Sequence, residues 1–190
     1  MKTNLKGLCI GTRSGTWAGV SEAPSVEDAA ASMGRIGRFA GHGKVFWSVL
    51  VHSLIVSDLA APEAKLYALI HDVTESMISD IPKPFKIPEM EELEARLYFR
   101  VLRDWGLPYP EKHVLAQVHQ ADFDAFLGEV HTIAPPGLRR LGEYRRRCKR
   151  AEKLVRQYMK KFPPSDTIRP EGRAVKEFLK RYNGLKNEKA

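Results

Sequence analysis

Apolar residues in this chain gather into long blocks broken by proline and glycine, and strand-like alternation is weak throughout. That pattern predicts helices. Ser25, three residues before Asp28, is close to a capping box. It opens a helix running to about Arg38, stopped by Gly41 and Gly43. Further helices are predicted over about residues 46–59, 63–78, 89–104, 111–131, 138–161 and 170–182. Three prolines between Ile81 and Pro88 make that segment a loop. Residues 1–24, with glycines at intervals, read as an irregular or partly extended lead-in. The expected fold class is all-α, a compact helical bundle with short connections.

Two of these helices carry polar residues where apolar ones would be expected. His52 lies within Val49-Leu50-Val51-His52-Ser53-Leu54-Ile55-Val56. His71-Asp72 closes the apolar run Leu66-Tyr67-Ala68-Leu69-Ile70. A buried imidazole is tolerated when hydrogen-bonded, but a buried carboxylate beside it needs a compensating positive charge. A divalent cation supplies one. Asp122 on the fifth helix is the third suspect. His and Asp suit zinc, manganese, iron or cobalt, and two of each would leave coordination positions open for phosphoryl chemistry.

A single His-Asp pair is a weak motif, and a lone His on an apolar helix is commonly a satisfied core residue. The neighbourhood strengthens the case. Glu75 stands three residues after Asp72, on the same helix face. Asp80 follows at the helix end, before a loop bearing Lys83 and Lys86. Asp124 faces about 160° away from an inward Asp122 and makes a poor ligand. His42 reads as structural or capping, with substrate contact the alternative, and His119, three residues before Asp122, reads as bland, with pointing at the site the alternative. Trp17 reads on its own as an ordinary core or interface tryptophan.

Length and charge set the outer bounds. The chain has 190 residues, 43% of them hydrophobic, which suits one domain with a real core. No long apolar run suggests a membrane span, and nothing resembles a secretory leader, so a cytosolic protein is expected. Cys9 and Cys148 form no CxxC pair and suggest neither a disulfide framework nor a cysteine zinc site. Net charge is +8, which favours anionic partners. Much of it lies in Arg139, Arg140, Arg145, Arg146, Arg147, Lys149 and Arg150. The ordinary reading is a solvated helix face. A nucleic-acid patch is possible, but it lacks interleaved aromatics and is not favoured.

On these residues the chain resembles the HD-domain phosphohydrolases, whose H…HD…D motif matches His52, His71-Asp72 and Asp122. Within that superfamily it looks like small 5′-deoxynucleotidases and their phage relatives, including dATP triphosphohydrolases. The resemblance covers roughly residues 25–130. It is carried by Gly37-Arg38-Phe39-Ala40-Gly41-His42, Phe46-Trp47-Ser48-Val49-Leu50-Val51-His52-Ser53, His71-Asp72-Val73-Thr74-Glu75 and Ser79-Asp80-Ile81-Pro82-Lys83-Pro84-Phe85-Lys86.

The resemblance implies a single HD domain with basic C-terminal helices over about 138–183. His52, His71, Asp72 and Asp122 would bind zinc, cobalt or manganese. Glu75 and Asp80 would be catalytic, or ligands of a second metal. Arg38 would sit near the phosphate or pair with Asp80. Lys86 would bind phosphate, with Lys83 assisting and Trp17 near the substrate. It further implies a deoxynucleotide substrate, a dNTP or a dNMP, and a homo-oligomer. Hydrolysis of a signalling nucleotide would require extra ligands not seen here. A catalytically inactive nucleic-acid-binding scaffold is the alternative from another class. One departure stands out: many relatives have Glu or Gln immediately before the first ligand His, where this chain has Val51. That departure puts the support of His52 in doubt.

Overall fold

The computed structural model describes residues 9–11, 17–19, 22–134 and 148–188. In chain order they form β1 (Cys9–Gly11), β2 (Trp17–Gly19), α1 (Val26–Met33), α2 (Val49–Leu59), α3 (Lys65–Ile70), α4 (Glu75–Ile78), α5 (Pro88–Asp104), α6 (Lys112–Thr132), α7 (Lys149–Lys161), α8 (Pro164–Ile168) and α9 (Arg173–Asn187). The fold is all-α apart from the lead-in. There β1 and β2 pair antiparallel, with Gly11 opposite Trp17. The basic residues 139–147 lie outside the described residues, as does the first part of the helix expected from 138.

α2 sits at the centre. Ser48 caps it, accepting from the Val51 N–H at 3.2 Å. Every residue from Val49 to Ser57 is buried, as expected of a helix that is apolar all round. It is flanked by α1, α3, α6, α7 and α9. One hydrophobic cluster joins side chains of α1, α2, α3, α5, α6, α7 and α9. The basic C-terminal helices therefore share the core rather than standing apart from it.

Two expected helices are shorter than their apolar patterns suggest. The first ends at Met33, and Gly34 follows. A Cβ at Gly34 would lie 2.2 Å from the Thr167 carbonyl oxygen, so only glycine permits that approach of α8. Residues 36–38 then run beside the start of α2, with Arg38 N–H bonded to Trp47 O at 2.8 Å and Val49 N–H to Ile36 O at 3.0 Å. This short ladder places Arg38 next to α2.

The helix expected over 63–78 is also not continuous. A 3-10 turn at Pro62–Ala64 precedes α3. α3 stops at Ile70, residues 71–74 form a turn, and α4 begins at Glu75. The His71 ring N–H takes the Ala68 carbonyl at 2.9 Å. In an unbroken α-helix that carbonyl would accept from the Asp72 N–H. Bonds from Glu75 N–H to Asp72 O (3.0 Å) and from Ser76 N–H to Val73 O (3.1 Å) tighten the turn to three residues. Residues three apart then eclipse one another. Asp72 and Glu75 thus share a face more squarely than an α-helix would allow.

Candidate metal centre

Three elements converge on one point. α2 brings His52, the turn after α3 brings His71 and Asp72, and α6 brings Asp122. His52, His71 and Asp72 each offer a ligand atom, all within 4.8 Å of one another, and this group can hold a metal ion. Asp122 Oδ1 lies 3.0 Å from His52 Nε2 and 3.7 Å from His71 Nε2. Asp72 Oδ2 lies 3.6 Å and 3.1 Å from the same two nitrogens. The cluster runs from fully buried His52 to Asp122, whose side chain is 36% exposed. It therefore opens to solvent on the Asp122 side.

The outer nitrogen of each imidazole is held by an acceptor. His71 Nδ1 lies 2.9 Å from the Ala68 carbonyl. His52 Nδ1 lies 2.8 Å from Glu129 Oε1. A carbonyl and a carboxylate can only accept, so both Nδ1 atoms carry hydrogen. Both Nε2 atoms then face inward. His71 Nε2 is buried and makes no well-formed hydrogen bond among the described residues. An orphaned, inward-facing imidazole nitrogen among carboxylates is what a divalent cation would satisfy. The residues fit a metal.

Electrostatics support that fit. Burial and Arg38 push the His52 pKa down, but Glu129 and Asp122 outweigh them and raise it. Burial also opposes the charged form of His71, yet Asp72 and Asp122 lift it well above the usual value. Burial alone would raise the Asp72 carboxyl, while His71 and His52 draw it down to about 2. Asp122, hydrogen-bonded to His52 and facing His71, falls far below the carboxylate range despite its burial. The surrounding acids thus favour the charged form of both imidazoles, a demand that a cation at the two Nε2 atoms would meet instead.

Glu75 and Asp80 behave differently. Burial, then Asp72 and Asp80 nearby, push the Glu75 carboxyl up to about 9. Its Oε2 is buried with no hydrogen-bond partner among the described residues. Burial likewise raises Asp80 against the pull of Arg38. Ser79, just before it, has φ 71° and ψ 167°, a region almost confined to glycine. The backbone is strained where Asp80 is presented.

Arg38 does not form an ion pair with Asp80. Its Nε donates to Glu129 Oε2 at 3.0 Å and its Nη1 to Asp72 Oδ2 at 3.3 Å. These two acids keep it charged although burial opposes charge.

A cleft of about 240 Å³ opens beside the cluster, lined by His71, Asp72, Thr74, Glu75, Lys86 and, from α5, Glu91, Glu94, Ala95 and Tyr98. Lys86 enters it but is already paired with Glu94, at 2.7 and 2.9 Å to its two oxygens. Lys83 is exposed and does not line it. Trp17 stands on β2, and its side chain lies outside the described residues. His42 and His119 are exposed. Asp124 accepts from Gln120, away from the cluster.

The sequence reading missed Glu129. Its side chain is fully buried and accepts from Arg38, Trp47 and His52. It supplies from α6 the support for His52 that Val51 cannot. One signal was present: Glu129 lies seven residues after Asp122, two helical turns along the same face, in an otherwise apolar stretch.

Comparison with curated proteins finds 38% identity over 85 residues with "Uncharacterized protein YfdR" of Escherichia coli (strain K12). The match covers 44% of this chain and 48% of that relative, so it spans about half the relative's length. No protein-family model matches.

Proposed function

We infer that the protein is a divalent-metal-dependent phosphohydrolase acting on a deoxynucleotide, with a purine dNTP cleaved to nucleoside and triphosphate as the first reading. The observation that carries the metal part is the pair of inward Nε2 atoms, each fixed by an acceptor on its outer nitrogen, facing Asp72 and Asp122. The phosphate part rests on the cations and the proton-bearing acid around them, and on the resemblance to HD-domain enzymes. Two imidazoles and two carboxylates suit zinc, cobalt or manganese. A bound cation supplies Lewis acidity for attack at phosphorus.

The chain's own residues account for the rest. His52, His71, Asp72 and Asp122 would hold the metal beside the cleft, which His71 and Asp72 also line. Arg38, fixed against Asp72, adds positive charge where phosphoryl charge develops. Glu75, whose carboxyl is pushed up to about 9 by burial and by Asp72 and Asp80 in the metal-free protein, can serve as the proton donor to a leaving oxygen. The alternative role is as a ligand: with Asp80 it would offer carboxylates to a second cation, which would relieve their crowding with Asp72 and replace the acid role. Lys86 meets the substrate phosphates after leaving Glu94.

A second reading is hydrolysis of dNMPs to nucleoside and phosphate. The Lys86–Glu94 pair and the position of Lys83 outside the cleft favour it, because they leave less cationic surface for a triphosphate. Incubating the protein with each dNMP and dNTP plus cobalt, manganese or zinc tests both. Triphosphate release supports the first reading and phosphate release from dNMPs the second. No phosphate, pyrophosphate or triphosphate from any of them would sink the enzyme.

A further inference from the structure

We propose that Glu129 is a positioning residue that builds the metal centre from behind, by fixing the tautomer of His52 and the place of Arg38 at once. The proposal rests on the metal-centre reading above. The two oxygens of Glu129 divide the work. Oε1 accepts from His52 Nδ1 and from Trp47 Nε1, each at 2.8 Å. Oε2 accepts from Arg38 Nε at 3.0 Å. The side chain has no solvent exposure, and both oxygens are engaged, so Glu129 is not itself a ligand.

The arrangement makes a chemical demand. All three partners donate, so the residue must offer acceptors only, and an ionised carboxylate is the side chain that does so at both ends. Charge-assisted bonds from a cation and an imidazole hold it more firmly than neutral ones would. With Nδ1 bearing the hydrogen, the His52 lone pair sits on Nε2 and faces His71, Asp72 and Asp122. The Ala68 carbonyl does the same for His71. The bond from Arg38 Nη1 to Asp72 Oδ2 closes the loop, so Glu129 touches a ligand on one side and a ligand's partner on the other.

Glu129→Gln keeps the shape but turns one oxygen into a donor. That amide nitrogen must face either Arg38 or the His52–Trp47 pair, and donor meets donor in both cases. Cobalt alone serves as probe, titrated into metal-free protein at fixed pH and followed by its visible absorption bands, with circular dichroism as the check on folding. The wild type is expected to bind cobalt and Glu129→Gln to bind it about 10- to 100-fold more weakly. A wild type that binds no cobalt overturns the metal centre and this role with it. A wild type that binds while Glu129→Gln matches it within about twofold overturns the positioning role alone. Should the variant not fold, nitrogen NMR of the zinc-loaded wild type decides. Hydrogen on His52 Nδ1 supports the proposal, and hydrogen on Nε2 with Nδ1 towards the metal overturns it.

Discussion

Asp122 and Glu129 grip opposite nitrogens of the same imidazole. Asp122 Oδ1 lies 3.0 Å from His52 Nε2 and Glu129 Oε1 2.8 Å from His52 Nδ1. Both acids stand on α6, two turns apart, and His52 stands on α2. One helix thus offers a candidate ligand towards solvent and an anchor towards the core. The candidate metal centre is part of the packing between α2 and α6.

Such coupling ties metal binding to stability. A cation at about 100 times its Kd stabilises the folded state by about 2.7 kcal/mol, or roughly 5–10 °C for a chain of this size. Calorimetry with cobalt or zinc is expected to show that rise, with reversal by a chelator. Asp72→Ala is expected to lose both the rise and the hydrolytic activity while keeping its helical content. Retained turnover in that variant would contradict the ligand assignment.

Glu75 gives the metal-free protein a distinctive pH dependence. Its folded pKa is raised to about 9 from an ordinary value of 4.5. A raised value means the folded state holds the proton more tightly than the unfolded state. The contribution is therefore whole below about pH 4.5 and is lost as pH rises through about 9. Glu75→Gln mimics the protonated form and lacks that loss. Urea unfolding at pH 8 is expected to find the metal-free variant more stable than wild type by roughly 1–3 kcal/mol, and nearly equal at pH 4.5. Parallel stability curves from pH 5 to 9 would refute this.

Gly128→Ala is a contest between propensity and space. Replacing glycine inside a helix gains up to about 1 kcal/mol. A Cβ there would lie 2.7 Å from Ala151 Cβ and 2.8 Å from the Ala151 carbonyl carbon. That neighbour is α7 backbone, which cannot rotate aside. Overpacking of this kind is destabilising by about 1–3 kcal/mol, so the clash wins. Thermal unfolding is expected to show a lowered Tm, and an unchanged or raised Tm would mean that α7 can retreat from α6.

Arg181 ties α9 to α2 and α7. It donates to Glu177 at 2.9 Å, Asp58 at 2.8 Å, the Leu54 carbonyl at 3.2 Å and the Tyr158 hydroxyl at 2.8 Å. Arg181→Ala is expected to lower stability by about 2–3 kcal/mol in urea titration, since partly buried acceptors lose a charged donor. Arg181→Lys is expected to recover less than half, because a point charge cannot serve four acceptors in a fork. Full recovery with lysine would show that charge alone matters.

What the sequence determined by itself was local. The block pattern of apolar residues and the Pro and Gly breaks place most of the helices, because a helix depends on neighbours within a few positions. Polar His52, His71 and Asp72 stood out because burial of such groups among apolar residues demands a partner. Tertiary structure decided the partners. Arg38 meets Glu129, 91 residues away, and Asp72 rather than Asp80. His52 meets Glu129 across 77 residues. Lys86 turns to Glu94 from the next element. At the break at 71–74 a ring N–H takes the Ala68 carbonyl, a contact that periodicity cannot register. Side chains reach across space, and the distance between residues along the chain carries no record of that reach until the helices are packed.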